Sequence, residues 1–124
     1  MAETCELVAP EAEAEPWNRT ELFFGTAKPD GSAVTETEWR QFLDAEVTPR
    51  FPDGLTVLSG NGQWQEEDGD IIQERSKLVL LLYPREAADE SNKEIEAIRA
   101  AYEHQFQQQS VPRADDDRPV CTSF

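Results

Sequence analysis

Apolar positions along the chain change spacing from one stretch to the next, and each spacing names an element. Residues 20–25, with Leu22, Phe23 and Phe24 in succession, read as a short buried strand closed by the turn-rich Lys28-Pro29-Asp30-Gly31-Ser32. Thr35 and Glu38 form a capping-box pattern. The helix it starts shows Trp39, Phe42, Leu43 and Val47 at helical spacing and is ended by Pro49. Pro52-Asp53-Gly54 turns the chain into a second strand, residues 55–58. Ser59-Gly60-Asn61-Gly62 then predicts a bulge or tight turn before Gln63-Trp64-Gln65. Asp68-Gly69 predicts a type I′ hairpin turn, followed by a third strand over residues 71–83 that Pro84 ends. Ser91 and Glu94 make a second capping box, and Ile95, Ile98, Tyr102 and Phe106 mark one face of a helix expected to stop near Gln109. A polar loop, residues 113–118, leads to a closing strand at 119–124.

The order is β-α-β-β-α-β, an α+β sandwich of the ferredoxin-like kind. In such a sheet only one face meets the helices, so its strands should alternate apolar and polar. These do not. Leu78, Leu80 and Leu82 share one face of the third strand while Val79, Leu81 and Tyr83 share the other. Two helices of modest length cover one face. The expectation is therefore a homodimer, two sheets closing face to face as a dimeric α+β barrel; the alternative is that the leader or the long hairpin folds back over the second face. Residues 1–16, charged, repetitive and bounded by prolines, read as a flexible leader, and 17–124 as one domain.

Charge narrows the partners. Of 124 residues, 26 are Asp or Glu and 11 are Lys or Arg, giving −15. Such a surface repels phosphate backbones and anionic lipid, so neither nucleic acid nor a membrane surface is expected. A basic protein or a small-molecule ligand suits it better, and solubility or a salty habitat accounts for it without any partner. The longest apolar run, 78–83, is far below the roughly 18 residues of a membrane span. Cys5 and Cys121 are either two free thiols, the ordinary state in a reducing cytosol, or one terminus-to-terminus disulfide.

Several strings resemble an uncharacterised bacterial family, a domain of unknown function often found behind secretion or lipoprotein leaders. They are Thr20-Glu21-Leu22-Phe23-Phe24-Gly25, Trp39-Arg40-Gln41-Phe42-Leu43 and the run from Val47 through Thr48-Pro49-Arg50-Phe51-Pro52-Asp53-Gly54 to Leu55-Thr56-Val57. Gly62-Gln63-Trp64, Glu74-Arg75-Ser76-Lys77, Ala101-Tyr102 and Phe124 extend the likeness over residues 19–124. The resemblance implies the domain boundaries and no activity. The apolar export segment common in that family is not seen at the start. As written the chain reads as cytoplasmic, or as secreted or periplasmic if such a leader has been removed.

Glu74-Arg75-Ser76-Lys77 opens the most apolar strand, where polar groups are not placed for packing. Strand alternation sends Glu74 and Ser76 to one side and Arg75 and Lys77 to the other. A functional reading makes Glu74 a general base or ligand acceptor, with Lys77 or Arg50 as an anion clamp near it at one end of the sheet. The competing reading is a Glu74–Arg50 ion pair that anchors the helix-to-strand turn. Trp64 beside glycines is either a stacking platform for a ligand ring or filler for the sheet and the dimer seam. His104 as a haem ligand and Asp115-Asp116-Asp117 as a cation site are weaker than plain solvated surface. No cofactor or metal is expected, and no phosphate loop, H-E-x-x-H or G-x-S-x-G string is present. A non-catalytic binding module is the first expectation, and a small enzyme using Glu74, Arg50 and Lys77 the second.

Overall fold

One strand organises the sheet. β1 (Glu15–Gly25) pairs antiparallel along one edge with β3 (Ile71–Pro84), from Trp17 opposite Pro84 to Gly25 opposite Ser76. Its other edge takes two short strands, β4 (Arg113–Asp115) against Thr20–Leu22 and β5 (Val120–Thr122) against Glu15–Trp17. β2 (Thr56–Gln65) lies outside β3, giving the order β2-β3-β1-β4. Helices α1 (Glu36–Phe42) and α2 (Ala88–Gln105) follow β1 and β3. This is the ferredoxin-like arrangement. The computed structural model describes residues 5–7 and 10–124; the remaining residues of the expected leader, 1–4, 8 and 9, lie outside these.

Strand alternation sorts the apolar residues into two sets. Leu22 and Phe24 of β1 and Val79, Leu81 and Tyr83 of β3 are buried with Trp39 and Phe42 of α1 and Ile95, Ile98 and Tyr102 of α2. Burying each large apolar side chain contributes about 1.5–3 kcal/mol. Tyr102 and Phe42 join the aromatic cluster, Tyr102 with its ring centroid 4.8 Å from that of Phe24, 4.9 Å from Phe106 and 5.0 Å from Phe42. The odd positions of β1 and the even positions of β3 face away from this core. There Leu78, Leu80 and Leu82 are half-buried, and Phe23 and Leu58 are 39% and 52% exposed.

Several local expectations change. The capping box at Thr35 forms with both its bonds, Glu38 N donating to Thr35 Oγ1 and Thr35 N to Glu38 Oε1. Ser91 and Glu94 cap nothing, because Pro84 leads directly into a 3-10 turn, Arg85–Ala87, and α2 begins at Ala88 with Ser91 buried inside it. No bulge interrupts β2. Its register with β3 runs unbroken from Thr56 opposite Leu80 to Gln65 opposite Ile71, since Gly60 and Gly62 keep ordinary strand angles and their peptide groups pair as any others do.

The hairpin is not a two-residue type I′ turn either. Asp68 has no positive φ while Gly69 has φ +96°, and Gly69 N donates to Glu66 O, the pattern of a type I turn closed by a left-handed glycine. A two-residue Asp68-Gly69 turn would set Lys77 opposite Gly60; the longer loop moves the register by one, so Lys77 faces Ser59 and Glu74 faces Gly62. Part of the expected polar loop is a strand, β4, which Thr20 and Leu22 hold in place.

At the N-terminus the boundary placed at Trp17 falls inside β1, because Glu15 and Pro16 already pair with Thr122 and Cys121. Of the two alternatives open for Cys5 and Cys121, free thiols or a terminus-to-terminus disulfide, the second is formed, joining them across 116 residues of sequence with Cα atoms 5.3 Å apart. Pairing of β5 with β1 brings Cys121 back to the chain start.

Candidate functional site

β3 continues past the end of β1. From Arg75 toward the hairpin it pairs with β2 alone, and the segment leaving β1 has to turn across its flank. Four hydrogen bonds hold that turn. Thr26 Oγ1 donates to Arg75 O at 2.7 Å, Ala27 N to Glu74 Oε2 at 2.8 Å, Gln108 Nε2 to Ala27 O at 2.8 Å, and Tyr102 Oη to Gly25 O at 2.6 Å. Gly25 is glycine for a steric reason, since a Cβ there would stand 2.9 Å from Glu74 Oε1. Burial, helped by the negative charges of Glu74 and Glu38, holds the Tyr102 hydroxyl proton far above the ordinary phenol range.

On the helix side of the same strand Lys77 is buried. Its Nζ donates to Glu36 Oε1 at 2.6 Å and to Ser59 Oγ at 2.9 Å. The hydrogen bond from Lys77 holds the exposed Glu36 carboxyl below the usual glutamate range, with Arg75 and Arg40 adding to the effect. Together the β1 exit, the loop after it, the start of α1 and residues 73–77 enclose an open cleft of about 390 Å³. Glu36, Glu74, Arg75 and Lys77 are its charged walls, and Ala27, Gly31 and Ala33 keep it wide.

Glu74 and Lys77 thus share one cleft. Arg50 is elsewhere: its guanidinium donates to Glu46 O at 2.8 Å and pairs with Glu46 Oε1 at 3.1 Å and Glu94 Oε2 at 3.3 Å. The Glu74–Arg50 pair does not form, because Arg50 follows the far end of α1 whereas Lys77 meets Glu36 at its beginning. Ser76 is half-buried opposite Gly60, and Trp64, opposite Ile72 and 45% exposed, stands on the hairpin outside the cleft lining. Strand alternation had put Arg75 beside Lys77, yet Glu36 and Thr26 come from elements whose approach to β3 no local pattern shows.

Two of the three loop acids are engaged with protein groups. Asp115 accepts from Thr20 Oγ1 at 2.6 Å and from Arg113 Nε at 3.0 Å, while Asp116 pairs with Arg19 at 2.8 Å. Thr20, having given its proton to Asp115, accepts from Tyr83 Oη at 2.8 Å. His104 is exposed in the last turn of α2. Across the sheet, on the face opposite the helices, a second cleft of about 290 Å³ is floored by Leu80 and Leu82 and walled by Trp17, Leu55 and Phe124.

Residues 19–124 match the family described as "Protein of unknown function (DUF3574)". The chain belongs to that family. No curated protein matches it. Among solved structures, a phage SAM lyase in complex with S-methyl-5'-thioadenosine has a TM-score of 0.63 at 15% identity, covering 88% of this chain and 87% of the lyase. The same kind of lyase in its apo state gives 0.59 at 12% identity, covering 90% of this chain and 92% of that one. A Bacillus cereus protein related to NIF3 gives 0.51 at 14% identity, covering 89% of this chain but 27% of its own. At these identities the likeness is one of fold.

Proposed function

We propose that this member of the family is a small, acidic, non-catalytic binding module that acts as a homodimer, two copies closing over the open face of the sheet. The open face carries this reading. Leu58, Leu78 and Phe23 are successive cross-strand neighbours on it, Leu80 and Leu82 continue the row, and among the described residues no helix covers them. An apolar row of this extent is stabilised by leaving water, and a second copy of the same face is the simplest complement. The absence of unpartnered buried side-chain polar atoms among the described residues supports a module over an enzyme. The Cys5–Cys121 bridge favours a place in an oxidising compartment.

Each copy carries −15, so the two repel, and association is expected to strengthen as salt screens that repulsion. Light scattering across a salt series tests the reading. A mass of twice the 14.0 kDa chain, reached at lower protein concentration in higher salt, is expected; a monomer at every salt and at high micromolar concentration contradicts it.

A second reading is favoured by the 390 Å³ cleft: an enzyme in which Glu74 acts as a general base and Lys77 with Arg75 clamps an anion. Arg50 takes no part in this form of it. S-methyl-5'-thioadenosine, the compound held by the phage lyase, is the first probe. Saturable binding lost in Glu74→Gln, in a protein that stays folded, supports the enzyme; no binding leaves the module.

A further inference from the structure

The two edges of the sheet are finished differently. Along the outer side of β1 the chain lays β4 and β5, each too short to template another strand. At the other end β2 pairs with β3 alone, and among the described residues no other backbone group bonds to Thr56–Gln65. The devices that usually close such an edge are missing. β2 is ten residues long, with no bulge, no proline and no charged residue, in a chain that is 30% charged. All of it but Val57 and Gly62 is exposed. Gly60 and Gly62 are glycines that the fold does not require. Neither has a positive φ, and a Cβ would meet only Ser76 Oγ at 3.5 Å or Glu74 O at 3.7 Å, ordinary contact distances. Glycine weakens a strand interior and often marks the close approach of a second backbone.

Side chains and charge select the occupant. On the open-face side the row Phe23, Leu78, Leu58 ends at this edge, with Trp64 further along it, so an apolar residue set beside Leu58 lengthens the row. Exposed acids stand at both ends: Glu66, Glu67, Asp68 and Asp70 in the hairpin loop, and Asp53 before the strand begins. A second copy of β2 is a poor fit there, because antiparallel pairing about Asn61 sets the acidic loop of each copy against Asp53 of the other. We propose that the free edge of β2 takes up an extended peptide segment of a partner protein as an added strand, its centre alternating apolar and polar residues and its ends basic. Main-chain hydrogen bonds hold such a peptide and the alternate side chains select it. This names a partner for the binding module and rests on that reading, but not on the dimer, since two copies closing over the sheet face leave the edge free.

Titration of the isotope-labelled full chain by NMR with the peptide Lys-Lys-Val-Thr-Val-Thr-Val-Lys-Lys tests it. Saturable shifts along Thr56–Gln65, with an affinity tighter than about 1 mM, are expected. The same peptide N-methylated at each Val and Thr keeps its charge and side chains but loses those backbone donors, and is expected to bind at least about tenfold more weakly. Glu66→Gln/Glu67→Gln should weaken the unmethylated peptide about threefold or more while the rest of the spectrum stays in place. Absence of saturable β2 shifts up to about 1 mM peptide overturns the proposal. So does equal binding of the N-methylated peptide, or β2 amides that become protected from exchange as the chain alone is concentrated, the sign that a second copy fills the edge. Such a failure is distinguishable from failure of the dimer, which is read by mass across the salt series and not by the β2 amides.

Discussion

Tyr102 ties the second helix to the end of the first strand through one hydrogen bond, to the carbonyl of Gly25. Tyr102→Phe keeps the ring in the Phe24, Phe42 and Phe106 cluster but leaves that carbonyl without the hydroxyl, at an expected cost of about 1–2 kcal/mol in urea unfolding at neutral pH. A pH signature accompanies it. The phenol proton is held tighter in the folded chain than in the unfolded one, so its stabilisation is complete below the ordinary value of 10.0 and is lost as pH rises beyond it. Tyr102→Phe should flatten this alkaline decline. Glu96 has the opposite sign. Hydrogen bonds from Arg99 first and Arg113 next lower its pKa, so its stabilisation is present above the ordinary value of 4.5 and is lost as pH falls below it. With a half-exposed side chain the effect is expected to stay under about 1 kcal/mol, and Glu96→Gln should shrink the acid decline by that amount.

At the scale of elements, β5 is the piece with least of its own to hold it: three residues paired to β1, packed by Phe124 on Trp17 and bridged to Cys5. A bridge closing so long a loop removes much unfolded-state freedom. Reduction is expected to cost about 2–4 kcal/mol. Melting with and without reductant, with Cys5→Ser/Cys121→Ser as the control that no longer responds, checks it; an unchanged midpoint would mean that β5 is held by its ladder alone. The same region shows what a sequence hides. The first helix was legible because Thr35 and Glu38 sit at the fixed spacing of a capping box, and the long β3 because six apolar residues run without a break. β4 was not, since Arg113-Ala114-Asp115 has no alternation and becomes a strand only because β1 offers a free edge and Thr20 reaches Asp115. Ser91 and Glu94 carried a cap signal that a helix started one turn earlier made irrelevant. Of the candidate site, Glu74 and Lys77 were legible as polar residues opening an apolar strand. Arg50 was misplaced because nearness in sequence to β2 says nothing about which end of α1 meets β3.

For the whole molecule, the open sheet face and the charge of −15 act against each other. In the proposed dimer the apolar row is what would draw two copies together, against the mutual repulsion of two chains of −15 each. Which side of β3 does which work is now assigned, Leu81 to the helix core and Leu80 to the open face. Leu81→Asp places a charge among fully buried side chains and is expected to abolish cooperative folding. Leu80→Asp is the direct test. Sedimentation equilibrium of this variant beside the wild type, with circular dichroism confirming its fold, should give a folded monomer where the wild type gives a dimer. A Leu80→Asp protein that remains a dimer, or a wild type that is already monomeric, would contradict assembly through this face.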